Sequence, residues 1–316
     1  MDNITHVNVG SLSEATAELA KGKAEVIAGG TDMISTLKGF ISDNLPERLV
    51  NIKKISGLDY IREDGGFLKI GALTTLTTIA NSSLVKDKYT VLAQAALAVA
   101  SPELRNMGTI GGNICQRNRC IYFRNEHNDF NCLRKNPSGL CYALTGVNRY
   151  HSIFGAMDGC VAACPSDTAP ALVALKAKIV TTAKTWESAE FFGAKNEHIC
   201  NLAEDEIVTE IQIPTPASGT KSAYKKFAFR KSFDFPLVSA AVVISGSDAS
   251  IVLGGVYPAP RVATGAQDAI KGQTINEPNA TAAGDAAVKG AVDLGQNKWK
   301  FQVTKTMVKR AILACA

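Results

Sequence analysis

The segment between Gly108 and Asp167 constrains this chain more than any other part of its sequence. It reads GTIGGN at residues 108–113, continues through a cysteine-rich stretch and ends in PSD at residues 165–167. Six of the eight cysteines fall here: Cys115, Cys120, Cys132, Cys141, Cys160 and Cys164. A glycine turn lets the backbone approach an anion closely, and thiolates are the ligands of redox clusters. The combination predicts two redox cofactors close together in one fold.

A second glycine turn, AGGTDM at residues 28–33, accompanies GTIGGN. Neither is the Rossmann G-x-G-x-x-G, and neither is followed by the Gly-Lys-Ser/Thr of a P-loop. Each alone is compatible with a plain tight turn. Together with the PSD turn they predict a dinucleotide site, which needs a pyrophosphate cradle and a carboxylate for a ribose hydroxyl. Asp167 is either that carboxylate or the N-cap of a helix.

The cysteine spacing leaves the bound group open. Cys115-x4-Cys120 and Cys160-x3-Cys164 resemble zinc half-sites, whereas a 4Fe–4S cluster needs four thiolates from the same set. Unligated buried cysteines are a third reading. The stretch CQRNRCIYFRNEHNDFNCLRK is rich in Arg and Asn, so it has little apolar surface to order it. We therefore expect a ligand to hold this segment in place.

Composition and charge narrow the class of protein. Hydrophobic residues make up 46% and charged residues 20%, and the net charge is +5. These values are ordinary for a globular chain, and no dense Lys/Arg stripe with interleaved aromatics indicates nucleic-acid binding. The first residues lack a signal-peptide pattern, and no apolar run reaches 18 residues. We expect a cytoplasmic protein with no membrane contact, whose cysteines are metal ligands or buried thiols.

The periodicity of hydrophobic residues predicts the α+β class. A boundary between two parts of the chain is expected near Pro214 and Pro216. Up to residue 215 we expect strands at 24–28, 49–52, 67–72, 160–163, 179–182 and 207–213, and helices at 32–38, near 81, at 90–100 and at 168–175. For residues 216–316 the hydrophobic pattern predicts a smaller unit. We expect its strands at 222–229, 237–244 and 251–256 and its helices at 279–294 and 303–315.

Five motifs carry a resemblance to a known family. AGGTDM, SPELRNMGTIGGN, PSDTAPAL, KFAFRKSFDFPLVSAAV and LGGVYPAPRVA occur in this order. The chain resembles the FAD-binding medium subunit of the molybdenum hydroxylases, the group of xanthine dehydrogenase, carbon monoxide dehydrogenase and aldehyde oxidoreductase, over about residues 3–316. RC-x-YFR, CLRK, CYA and DGCVA further resemble the subtype with an additional 4Fe–4S cluster, as in the beta subunit of 4-hydroxybenzoyl-CoA reductase.

The resemblance implies a fold and a set of cofactor contacts. Residues 1–215 would form a two-subdomain FAD-binding domain of the PCMH/VAO type, divided at about 1–55 and 56–215, with an iron–sulfur insert at about 115–160. Residues 216–316 would be a small sheet with helices, of the CO dehydrogenase flavoprotein C-terminal type. The implied FAD contacts are Ala28, Gly29, Gly30, Thr31, Asp32, Met33, Gly71, Thr75, Ser101, Gly108, Thr109, Ile110, Gly111, Gly112, Asn113, Asp167 and Lys226, with Arg230 and Asp234 as further candidates near the isoalloxazine.

The same resemblance assigns the 4Fe–4S cluster to Cys120, Cys132, Cys141 and Cys160. Cys164 stands where the subtype often has histidine, and Cys115 directly follows GGN, so either is an alternative ligand. Tyr257 replaces a residue that is usually small in this family. It either shields the flavin from the acceptor or packs as an ordinary tyrosine.

The implied function is electron transfer. A molybdenum-cofactor large subunit and a 2Fe–2S small subunit would be the partners, in a heterotrimer or its dimer, and the external carrier would be NAD, ferredoxin or quinone. The scattered histidines (His6, His127, His151 and His198) fit no acid–base set. Two alternatives stay open: a self-contained FAD-dependent oxidoreductase and a zinc-stabilised binding module.

Overall fold

A computed structural model describes residues 4–42 and 44–316, and these form three successive units of sheet and helix. In the first unit the parallel strand order is β1-β3-β2, with Val50 between Val7 and Val26. Ser11 caps the first helix by accepting a hydrogen bond from the N–H of Glu14. The elements are β1 (Thr5–Asn8), α1 (Leu12–Leu19), β2 (Ala24–Ile27), α2 (Met33–Lys38) and β3 (Arg48–Asn51).

The second unit is built on an antiparallel sheet. Ile70, Ile211 and Ile179 are aligned across neighbouring strands and are fully buried, so alternation along each strand supplies the core face. Its elements are β4 (Ile61–Asp64), β5 (Phe67–Gly71), α3 (Leu76–Asn81), α4 (Ser83–Lys88), α5 (Thr90–Leu97), α6 (Pro102–Met107), α7 (Ile110–Ile114), α8 (Thr168–Ala174), β6 (Lys178–Thr181), β7 (Thr185–Glu187), α9 (Ser188–Phe191) and β8 (Val208–Pro214). The strand order is β4-β5-β8-β6-β7.

The third unit is the C-terminal sheet with helices against one face. The three expected strands are present, and a two-residue strand extends the antiparallel order to β12-β11-β10-β9. The elements are β9 (Lys221–Phe227), β10 (Val238–Ser245), β11 (Asp248–Gly254), β12 (Arg261–Val262), α10 (Thr264–Ile270), α11 (Glu277–Ala286) and α12 (Trp299–Leu313). Helix α11 ends well before residue 294, and Gly290 and Gly295 follow with positive φ, which a helix cannot continue through.

The cysteine-rich insert runs between α7 and α8. Its regular structure in the described chain consists of two 3₁₀ turns, Glu126–Asn128 and Tyr142–Leu144, and isolated bridges. The expected strand at residues 160–163 is wrong. The backbone here forms hydrogen bonds with two separate segments and not with one neighbouring strand. The carbonyl of Val161 accepts from the N–H of Ser152, and the N–H of Cys164 donates to the carbonyl of Tyr257.

No helix in the described parts of the chain is both long enough and apolar enough to cross a lipid bilayer.

Candidate functional site

A cavity of about 920 Å³ lies between the two glycine turns, the insert and the loop at residues 195–200. Phe235 of the third unit also lines it. This volume is near the upper end of the ~300–1,000 Å³ typical of small-molecule sites. We call it the central cavity. It is the large concave site that both glycine motifs share.

The first glycine turn follows β2 and approaches the second turn closely. A Cβ atom on Gly29 would lie 2.0 Å from the carbonyl oxygen of Met107, so only glycine fits there. Gly30 has φ +71°, a conformation that favours glycine. Within the described chain, the backbone N–H groups of residues 29–32 have no hydrogen-bond acceptor. The turn therefore offers unsatisfied donors at the wall of the cavity.

The second glycine turn is fixed by side chains at both of its ends. Thr109 caps α7 by accepting a hydrogen bond from the N–H of Gly112 at 3.1 Å. At the other end, Asn113 Oδ1 accepts hydrogen bonds from the hydroxyls of Ser166 and Thr168, each at 2.6 Å. Gly111 donates to the carbonyl of Ala72 at 3.0 Å. These bonds join GTIGGN to the PSD segment and to the end of β5.

Asp32 connects the first glycine turn to the insert. Its Oδ1 accepts hydrogen bonds from the guanidinium groups of Arg119 and Arg124, each at 2.7 Å, and its Oδ2 accepts from the backbone N–H of Arg117 at 2.8 Å. Burial works to raise the pKa of Asp32, but Arg124 and Arg119 outweigh it and hold that pKa below its ordinary value. Asp32 is therefore an ionised anchor for the start of the insert.

Two of these arginines also shape the cavity wall. The guanidinium of Arg117 is buried and pairs with Glu25 and, at 3.1 Å, with Glu197. Arg119 lies over the ring of Phe235, 4.2 Å from its centroid. The first unit, the insert and the third unit thus meet at charged and stacked contacts around one cavity.

Comparison with known proteins identifies the family. A family model described as the FAD binding domain in molybdopterin dehydrogenase matches residues 2–216, and one described as the CO dehydrogenase flavoprotein C-terminal domain matches residues 222–315. The chain belongs to the FAD-binding medium subunits of the molybdenum hydroxylases. The expected family and α+β fold are confirmed, and the medium subunit is an oxidoreductase subunit.

Relatives of this medium subunit cover most of its length. It is 35% identical over 272 residues to the aldehyde oxidoreductase FAD-binding subunit PaoB of Escherichia coli K12, covering 82% of this chain and 83% of that one. It is 30% identical over 315 residues to the carbon monoxide dehydrogenase medium chain of Hydrogenophaga pseudoflava, covering 96% and 94%. A solved carbon monoxide dehydrogenase from the same organism has a TM-score of 0.75 at 26% identity, covering 99% and 97%.

Most of the expected cofactor contacts of the medium subunit line the central cavity. They are Ala28, Gly29, Gly30, Thr31, Asp32, Met33, Gly108, Thr109, Gly111, Gly112 and Asn113. The lining does not include Ile110, Gly71, Thr75, Ser101, Asp167 or Lys226. Their assignment to FAD stays a prediction, as does that of the eleven residues that line the cavity.

The residues away from the lining have structural contacts of their own. Ile110 is fully buried in the core. Thr75 and Ser101 cap α3 and α6 through their hydroxyls. A Cβ on Gly71 would lie 2.3 Å from the carbonyl oxygen of Leu58, so the chain needs glycine there for close packing. These contacts account for the four residues without any bound group.

Asp167 and Lys226 form a buried pair between the second and third units. Lys226 Nζ lies 2.9 Å from Asp167 Oδ2, and the hydroxyl of Tyr224 donates to Asp167 Oδ1 at 2.6 Å. Asp167 has no side-chain capping bond to α8; Ser166 instead accepts from the N–H of Ala169 at 3.1 Å. Burial raises the pKa of Asp167, and Lys226 opposes this rise.

The remaining candidates from the C-terminal motifs lie outside the cavity lining. Arg230 and Asp234 pair with each other on an exposed loop at 2.6 Å. The hydroxyl of Tyr257 donates to the carbonyl of Ala156 at 3.4 Å, and its ring packs against the core of the second unit. These contacts favour the packing role for Tyr257 over the shielding role.

The four expected cluster cysteines lie in the insert, and their thiols affect one another's pKa. Burial raises the pKa of the Cys120 thiol to about 12, and the nearby thiols of Cys160 and Cys132 add to this rise. Burial likewise raises the pKa of Cys160, which also lies near Cys141. Among the residues that the structure describes, no group of three or more His, Cys, Asp or Glu side chains is arranged as a metal site.

Sequence reasoning missed several residues of the medium subunit's cavity. Arg117, Arg119, Cys200 and Phe235 line it. The partners of Arg117 and Arg119 lie about 85 residues away in the sequence, as the contacts with Asp32 show. The repeated arginines of QRNRC are the local signal for these residues, and by themselves they indicate only a polar insert.

Proposed function

We propose that this medium subunit relays electrons between a molybdenum-cofactor large subunit with a 2Fe–2S small subunit and an external carrier. FAD in the central cavity and a 4Fe–4S cluster on the insert are the proposed redox groups. The observation that carries the proposal is the convergence of two glycine turns on one cavity, with unsatisfied N–H donors at its wall. NAD, ferredoxin and quinone are the candidate carriers. A heterotrimer, or its dimer, in the cytoplasm is part of the proposal.

The cavity fits a dinucleotide in size and donor chemistry. The N–H groups of residues 29–32 would bind the pyrophosphate, because backbone donors beside glycine form anion sites without a charged side chain. Gly111 and Gly112 would let the ribityl chain lie against the second turn. FAD supplies one- and two-electron chemistry, and the protein's part is to bind it and orient it. The structure of the turns supports this assignment through the backbone approach that Gly29 permits.

The thiols of Cys120, Cys132, Cys141 and Cys160 fit a cubane cluster in ligand chemistry, because such clusters bind four thiolates. Each of these thiols lies near enough to another to affect its pKa, which supports the choice, but in the described chain the four are not gathered into a metal site. The two alternative ligands, Cys164 and Cys115, lie in other surroundings. Cys164 is buried in the core of the second unit, and Cys115 lies against Cys200. We therefore propose Cys120, Cys132, Cys141 and Cys160 as the cluster ligands.

Asp32 would make the two sites act as one structural unit. It belongs to the proposed pyrophosphate turn and holds Arg119, which directly precedes Cys120. The side chains that bind the insert to the turn are charged and largely shielded from solvent, so they hold the two sites at a fixed separation.

Cofactor analysis of the anaerobically purified chain tests the proposal. We expect about four iron, about four sulfide and one FAD per chain. Cys120→Ser should lose the iron and keep the FAD, whereas Cys315→Ser, a buried cysteine of the third unit, should keep both. FAD without iron in the wild type would contradict the cluster and leave a self-contained flavoenzyme open. Zinc with neither iron nor FAD would favour the binding module.

A further inference from the structure

Cys115 and Cys200 lie on the same side of a short bridge that joins two segments of the chain. Arg117 and His198 form an antiparallel bridge, in which Asn118 donates to Glu197 at 2.9 Å and Ile199 donates to Gln116 at 3.1 Å. Cys115, which ends helix α7, and Cys200 each lie two residues beyond this bridge, on the same side of it. A disulfide joins Cβ atoms about 3.5–4.5 Å apart, so it needs two thiols that approach each other closely.

The side chains of the two cysteines interact with each other. The Cys200 thiol, followed by burial, raises the pKa of the Cys115 thiol well above its ordinary range. His198 holds the segments together because its Nδ1 lies 2.7 Å from the carbonyl oxygen of Cys115. Both cysteines line the central cavity. Cys115 is partly exposed, whereas Cys200 is almost fully buried.

We propose that Cys115 and Cys200 are a dithiol site that forms a disulfide in the cavity wall when a small disulfide reagent enters the cavity. Neither cysteine is needed for the proposed cluster, so this reactivity is separate from cluster assembly. Access is through the cavity, because both residues line it and Cys115, the attacking thiol, is the more exposed of the two. The expectation that bound FAD slows this disulfide formation rests on the proposed function.

The step is a thiol–disulfide exchange that balances without any bound cofactor. The Cys115 thiolate attacks the reagent disulfide, one S–S bond breaks, and a first reagent thiol leaves. The Cys200 thiolate then attacks the Cys115 sulfur of the mixed disulfide, and a second reagent thiol leaves. Two protein S–H bonds are lost, one protein S–S bond forms, and the reagent is reduced by two electrons. Because the Cys115 thiol is weakly acidic, the reaction should accelerate as the pH rises.

Peptide mapping of the FAD-free chain treated with cystamine at pH 8.5 tests the site. Trypsin yields residues 106–117 with Cys115 as their one cysteine and residues 196–221 with Cys200 as theirs. We expect these two peptides to become linked, and reduction to separate them. Cys315→Ser should give the same linked pair, and Cys115→Ser should not. Separate peptides in the treated wild type would overturn the inference, as would linkage of either cysteine mainly to another one.

The same treatment of the FAD-loaded chain tests the route of access. We expect the linked peptide to form at least tenfold more slowly, because FAD would fill the cavity. Equal rates in the loaded and FAD-free chains would contradict access through the cavity. Flavin absorbance records loading independently of the thiols. If the chain binds no FAD, the proposed function fails, while mapping of the FAD-free chain still decides whether the dithiol site exists.

Discussion

Lys226 in β9 forms a buried ion pair with Asp167, which directly precedes α8, at 2.9 Å. Lys226 Nζ also donates to the carbonyl of Ala98 at 2.8 Å. The pair joins the third unit to the second at a point shielded from water, so both charges depend on each other. It fixes the C-terminal unit, and with it Phe235, relative to the central cavity.

Replacing Lys226 with alanine should destabilise the chain by about 3–5 kcal/mol at pH 7, because it leaves the Asp167 carboxylate buried with only Tyr224 as a partner. Burial already raises the pKa of Asp167, and losing Lys226 removes the main opposing charge. The loss of unfolding free energy in Lys226→Ala should therefore be smaller at pH 4, where protonation of Asp167 removes the unpaired charge. Urea unfolding at both pH values measures this, with the exposed Lys221→Ala as control. Equal losses in the two variants would contradict a specific role for the pair.

Asp32→Asn should weaken the anchor of the insert by about 1–3 kcal/mol at neutral pH, because it removes charge-assisted bonds to two arginines. The folded-state pKa of Asp32 lies below its ordinary value of 3.8. The wild type is therefore more stable than Asp32→Asn by the full amount at pH values above 3.8. This advantage is lost as the pH falls through the lower folded-state pKa. Urea unfolding between pH 6 and pH 3 measures the difference. The exposed Asp268→Asn should show no such loss, and a pH-independent Asp32→Asn deficit would count against the ionised anchor.

Gly29→Ala should lower FAD affinity at least tenfold, because its Cβ would lie 2.0 Å from the carbonyl oxygen of Met107 and push the two turns apart. Titration of the FAD-free variant, followed by flavin fluorescence, measures the dissociation constant. Gly10→Ala is the matched control, since its added Cβ would meet its nearest neighbour, Glu14, at 3.7 Å. Unchanged affinity in a folded Gly29→Ala variant would show that the turn does not bind the cofactor.

The buried amine of Lys300 should make the free energy of unfolding depend on pH. It is fully buried, and its Nζ donates to the carbonyls of Tyr150, His151 and Gly255. Burial lowers its pKa to about 7 from the ordinary 10.5. Between these values the unfolded chain binds the extra proton, so wild-type stability should rise with pH by up to ~1.4 kcal/mol per unit.

The stability advantage of wild type over Lys300→Met should accordingly grow from pH 7.5 to pH 9.5 in urea unfolding. The exposed Lys298→Met should track the wild type throughout this range. A constant difference between wild type and Lys300→Met would show that Lys300 keeps an ordinary pKa in the folded chain.

The sequence was most informative where structure is local. Glycine at residues 29 and 30 marks a turn because the backbone itself needs glycine, by close approach in one case and by positive φ in the other. Ser166 and Ser101 follow the ordinary chemistry of helix N-caps. Periodicity and the prolines near residue 215 predicted the α+β class and the separate C-terminal unit.

Long-range partners could not be obtained in the same way. The carboxylate of Asp32 faces arginines more than 80 residues away, and Asp167 is neutralised by a lysine from another unit. Residues 160–163 look like a strand by apolar pattern, but their bonds depend on where residues 152 and 257 lie. Such pairings are decided by tertiary packing and not by local propensity.

Reductive titration of the anaerobically purified chain tests the proposed relay most directly. Stepwise dithionite, followed by flavin and iron–sulfur absorbance and by electron paramagnetic resonance, counts the electrons that each chain accepts. One FAD takes two electrons and one 4Fe–4S cluster takes one, so the account predicts about three per chain. Cys120→Ser should accept about two. Two electrons in the wild type, with no iron signal, would contradict the cluster, and none would contradict the relay altogether.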